Sequence, residues 1–174
     1  MHTLTHLACI FFVYKFANLR EWKNYHPTLL YICVINLLYN FLLANYDLWK
    51  YQPDFYSNHS LTEVGNSIIL LPAIAYIFLT YYPENQGMRK ILKYYLKWIV
   101  WSLVIESVYV YFGKITFHHG YKFWMEPFFY ILMYTFVRLH YKKPLLTYFL
   151  SVIVVLLLLW IFDIPVTTPI NQRH

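Results

Sequence analysis

Glu106 stands in an otherwise apolar stretch between Lys97 and Lys114, and it shares one helical face with Ser102, Tyr109 and Gly113. A carboxyl in such surroundings keeps its proton and hydrogen-bonds, binds a cation, or trades a proton with a neighbour. Two other stripes recur at three- and four-residue steps: Cys33, Asn36, Asn40, Ala44 and Asp47 in one apolar segment, and Glu126, Tyr130, Tyr134 and Arg138 in another. Counting from the segment ends puts Asn36, Asn40, Glu106 and the backbone break at Pro72 on one level. Asn36, Asn40, Glu106 and Tyr109 are therefore the candidate site for a ligand or ion. The structural alternative is a neutral Glu106 bonded to Asn36 or Asn40 as glue between helices, at about 1 kcal/mol per hydrogen bond. Arg138 lies roughly 10 Å below that level, at 1.5 Å per residue, so it reads as an anchor at the rim and not as a counter-ion. Asp47 and Glu126 read as solvated carboxylates at the opposite rim.

The histidines are the second chemical signal. His2 and His6 are four apart, on one helical face, and His118 and His119 precede Glu126 by one short loop. Imidazole with carboxylate is a zinc or copper ligand set, so His118, His119 and Glu126 are a candidate metal site, weighed against ordinary solvated loop histidines. Other chemistry lacks its residues. HExxH is absent, the four Gly form no phosphate-binding loop, and no nucleophile, base and acid share a local signature. Cys9 and Cys33 both fall in apolar runs, which excludes a disulfide scaffold or a thiolate cluster. No cofactor is implied.

The elements that must carry these side chains follow from composition. Of 174 residues, 60% are hydrophobic and 13% charged, too few charges to cover a soluble domain of this size. Apolar stretches near 20 residues, the length that crosses about 30 Å of hydrocarbon, occur at 27–49, 64–82, 94–112, 123–139 and 145–162. A sixth at 4–19 is marginal, broken by Lys15 and Asn18. The expected fold is an all-α polytopic transmembrane bundle in one domain, with six spans, or five if the first segment lies in the interface.

The net charge of +6 is better explained by a bilayer than by nucleic acid. With six spans, Lys15, Arg20, Lys23, Arg89, Lys90, Lys93, Lys97, Arg138, Lys142 and Lys143 share one side, while Lys50, Lys114, Lys122 and Arg173 lie on the other. The richer side is cytoplasmic and the C-terminus is outside, as are His2, His6, His59, His118, His119 and His174. Lys90, Lys93 and Lys97 form one face suited to anionic lipid, or simply obey the same inside bias. The first three segments do not repeat in the last three, which counts against an inverted-repeat carrier. The run 152–161 is apolar all round and belongs at the edge of the bundle.

The segments NLLYNFLLANYDLWKY, residues 36–51, and RLHYKKPLLTYFLS, residues 138–151, resemble a family of small, functionally uncharacterised multi-spanning membrane proteins of spore-forming Gram-positive bacteria. The intervening PAIAYIF and VIESVY stretches fit the same pattern. The resemblance implies a bacterial cytoplasmic membrane and a bundle of five or six helices. It implies no reaction. The expected function is a non-enzymatic bundle binding a lipid, small ligand or protein partner. The alternative is proton- or cation-coupled transport through the Glu106, Asn36 and Asn40 layer, in a homo-oligomer because six helices barely enclose a path.

Overall fold

A computed structural model describes residues 1–54 and 58–173, so His174 lies outside the described residues. The chain is mostly helical, and among the described residues it forms six rods. They are α1 (His2–Phe16), α2 (Trp22–Leu42), a continuous rod over His59–Thr80, α5 (Met88–Tyr111), α6 (Glu126–Lys142) and α7 (Pro144–Ile161). The third rod is built of α3 (His59–Gly65), a π-helical turn over Asn66–Leu70 and α4 (Leu71–Thr80). Two rods, His59–Thr80 and Pro144–Ile161, are long and apolar enough to cross a membrane.

Helix ends depart from the apolar segments where local chemistry overrides hydropathy. The helix expected to run to Trp49 stops at Leu42, and Asn45 takes a left-handed conformation (φ +62°) that asparagine tolerates better than most residues. Trp49 instead opens β1 (Trp49–Tyr51), which pairs antiparallel with β2 (Ile115–Phe117), Trp49 opposite Phe117 and Tyr51 opposite Ile115. This small sheet was not expected, because three-residue strands leave no periodicity to read. Pro27 lies inside α2, whose first residue is Trp22; the proline removes only the hydrogen bond to the Lys23 carbonyl, near the helix end.

The π turn has an identifiable cause. Pro72 can neither donate to the Ile68 carbonyl nor fit closely against it, and the widened turn falls immediately upstream, with the Leu71 amide reaching back five residues to Asn66. Widening rotates Asn66 and Ser67 into the interior, where both are buried.

The rods pack with α2, α4 and α6 at the centre. Helix α1 lies along α4 and the π turn, while α5 and α7 flank α6. One half of the core is aromatic. Phe78 is fully buried, and the rings of Tyr82, Tyr94, Tyr95, Trp98 and Tyr134 surround it at centroid distances of 4.9–5.8 Å. Two of their hydroxyls bond within the core: Tyr94 donates to the Phe78 carbonyl (2.8 Å), and Tyr134 pairs with Ser102 (2.7 Å). The outward faces are apolar, as along α7 at Leu145, Phe149, Val152, Leu156 and Trp160, whereas Thr28, Thr62, Asn66, Ser67, Glu126, Thr147 and Ser151 are buried. At the end of α6, Arg138 lies over the Tyr82 ring (4.1 Å) and, with Lys142, grips Glu84 at 2.5 and 2.8 Å. The two cations hold the Glu84 carboxyl below its ordinary value, Lys142 contributing most.

Gly65 is where α1 comes closest. A Cβ there would run into the His6 imidazole, which bonds Asn66 at 2.9 Å. Gly65→Ala is expected to swing His6 away and cost about 1 kcal/mol through the lost hydrogen bond. A thermal melt of the detergent-solubilised variant, beside His6→Ala, checks this: the two losses should not add.

Candidate functional site

Asn36, Asn40, Glu106 and Tyr109 line one cavity of about 590 Å³ between α1, α2, the third rod, α5 and α6. Each helix presents its polar stripe to it. Glu106 comes from the middle of α5, and α6 supplies Glu126 and, one turn on, Tyr130, whose hydroxyl donates to Glu106 Oε2 (3.1 Å). The stripes of α5 and α6 thus pair as a ladder, Ser102 with Tyr134 and Glu106 with Tyr130. Tyr109 leaves that ladder and bonds Thr5 of α1.

Asn36 and Asn40 do not bond Glu106. Both amides donate to the Ser67 hydroxyl, at 2.8 and 3.4 Å, and Ser67 in turn donates to the Glu63 carbonyl (2.7 Å). Ser67 is fully buried, and sequence reasoning missed it. The available signal was Pro72: the turn before a mid-helix proline is where backbone and side chains re-pair.

Glu126 departs most from its expected place. Only 3% exposed, it faces Glu106 and lies beside Tyr121, not in rim water. The β1–β2 pair and the buried Tyr121 cover the start of α6, so a residue near a helix end lies inside the protein. His118 and His119 stay exposed in the turn after β2; His118 bonds Thr116 (2.9 Å) and His119 stacks on Tyr46 (3.7 Å). They do not converge with Glu126 into a ligand group.

The convergent group among the described residues is Asp47, His59 and Glu63, whose ligand atoms all lie within 4.8 Å of one another. The helical i, i+4 pair His59 and Glu63 was the unread signal. Its hydrogen bonds argue for a shared proton over a metal. The Tyr51 amide donates to His59 Nδ1 (3.1 Å), so the neutral ring carries its proton on Nε2, which faces Asp47 and Glu63 at 3.4 Å each. A metal at Nε2 would need that proton moved to Nδ1, against the Tyr51 N–H.

The imidazoles of α1 complete the wall. His6 bonds Asn66, while His2, 3% exposed, packs against the rings of Tyr51 and Tyr109 and leaves Nε2 buried without a hydrogen-bond partner. A second, smaller cavity of about 150 Å³ between α2, α6 and α7 has almost wholly apolar walls. No protein-family model, curated protein or solved structure matches the chain.

Ser67→Ala is expected to lower stability by about 1 kcal/mol, because it removes the hydroxyl that accepts from two amides. Glu106→Leu should leave the Asn36 and Asn40 bonds in place. Denaturation of both variants in one detergent checks the assignment: equal loss would contradict it.

Proposed function

We propose that the chain is an integral protein of a bacterial cytoplasmic membrane, crossed by all six rods, and that it binds a lipid, small ligand or partner group in the chamber around Glu106 and Glu126. The observation that carries this reading is the chamber itself. It gathers three carboxyls, two imidazoles and three amides inside a bundle whose outer face is apolar. Polar groups at such depth are costly and are expected where they meet something. The crossing of all six rods is supported by charge. Most of the Lys and Arg lie at or near the helix ends that flank the α1–α2, α4–α5 and α6–α7 connections, from Lys15 to Lys23, from Arg89 to Lys97 and from Arg138 to Lys143, and Lys90, Lys93 and Lys97 stand exposed along the first turns of α5, placed for anionic headgroups. The resemblance of residues 36–51 and 138–151 to multi-spanning proteins of spore formers supports the bacterial setting. A binding role is preferred to a reaction because the chamber's polar groups are mostly tied to one another in pairs that hold shape.

Proton- or cation-coupled transport is the second reading, and the facing Glu106 and Glu126 carboxyls favour it. Two carboxyls at close range cannot both ionise without a cation between them, so a proton or ion would be taken up there. Asn36 and Asn40 would then act through Ser67 and the third rod, in a homo-oligomer.

Two outcomes test these readings. A membrane-impermeant maleimide on intact cells should label Lys122→Cys and leave Lys143→Cys untouched, since both positions are exposed and sit on opposite sides of the proposed topology. The reverse pattern would end the orientation. In proteoliposomes, the binding reading expects no proton or monovalent cation flux above protein-free vesicles, and a Glu106→Gln variant that melts like the parent. Flux that Glu106→Gln abolishes, with fold intact, would replace binding by transport.

A further inference from the structure

We infer that the chamber takes a small organic cation, an ammonium or similar charged head on an apolar body. This rests on reading the chamber as a binding site and names the chemistry of what enters it. The charge of the wall is one-sided. Glu106 and Glu126 face each other, Glu63 lies along the same wall, and among the described lining residues there is no Lys or Arg. The Met1 ammonium at the chamber's edge is already engaged by Asp54 at 2.7 Å. An anion would meet carboxyls with no basic partner.

The second observation is independent of the acids. His2 lines the chamber, and its Nε2 is buried without a partner, which in a polar interior is the mark of a group awaiting a ligand. An ammonium N–H satisfies its lone pair. The remaining wall then selects against a bare metal ion. Among the described residues the convergent group Asp47, His59 and Glu63 reaches the chamber only through Glu63, while Glu106, Glu126, His2 and His6 do not close into a ligand set around one point, and about 590 Å³ is the size of a small-molecule site. Trp49, Phe129 and Tyr109 supply aromatic surface, on which an organic cation gains both burial and attraction to the ring faces.

The test uses probes matched in size and opposite in sign. Purified full-length protein in nanodiscs is titrated with tetraphenylphosphonium, with tetraphenylborate and with neutral triphenylphosphine oxide. Saturable phosphonium binding is expected, at least tenfold tighter than either other probe over empty nanodiscs. Glu106→Gln and Glu126→Gln, made singly and each confirmed folded by its melt, should weaken it at least tenfold, whereas His2→Ala, which removes an acceptor that the phosphonium cannot use, should leave phosphonium binding unchanged and weaken binding of 2-phenylethylammonium, titrated alongside, at least fivefold. If one acid variant fails to fold, the other and His2→Ala still decide. Equal binding of the neutral probe would overturn the cation class and leave the chamber as a binding site. Calcium that binds and excludes phosphonium would make it an inorganic cation site instead. Binding of none of the probes would overturn the chamber reading together with this one.

Discussion

The polar groups inside this bundle need partners, and the Ser67 hydroxyl joins three of them. It accepts from two amides of α2 and donates to a carbonyl of its own rod, so three groups are satisfied by one oxygen. That oxygen is in place only because the helix widens before Pro72. Were the rod regular, the Ile68 carbonyl would meet the proline ring, and Ser67 would turn toward a different neighbour. The close approach of α1 at Gly65, with His6 on Asn66, depends on the same distorted turn. A single proline thus governs how three rods meet.

Around that joint the protein divides into halves of different character. On the side of Phe78 the space is filled by packed aromatic rings, with the Tyr94 and Tyr134 hydroxyls hydrogen-bonded. On the side of Glu106 the same helices diverge, and the space is left as a chamber. The ladder between α5 and α6 crosses from one half to the other. One rung joins Tyr134 of the core to Ser102 at the chamber's edge, and the other, Tyr130 with Glu106, is chamber wall. A packed core beside an acidic opening suits a site that must hold its shape around a guest.

The chamber's outer end is closed by the least predictable part of the chain. The β1–β2 pair and the segment through Tyr121 bring Glu126 indoors and position Tyr51 to fix the tautomer of His59. With Nδ1 accepting from the Tyr51 amide, His59 turns Nε2 toward Asp47 and Glu63, so the three form a hydrogen-bonded group where a sequence reader would look for a metal.

The linear order of residues by itself determined the helical class, the stripes on α2, α5 and α6, the grouping of Asn36, Asn40 and Glu106 on one cavity, and the edge position of α7. All of these follow from local periodicity and hydropathy, which act within one segment. It did not determine which stripe meets which. The Asn pair bonds Ser67 and not Glu106, Glu126 is buried and not at a wet rim, and His118 and His119 stand apart from it. Partner choice depends on the rotation and spacing of whole helices, set here by a proline-widened turn and a three-residue sheet. Neither leaves a repeating pattern along the chain, so only the packed structure could decide them.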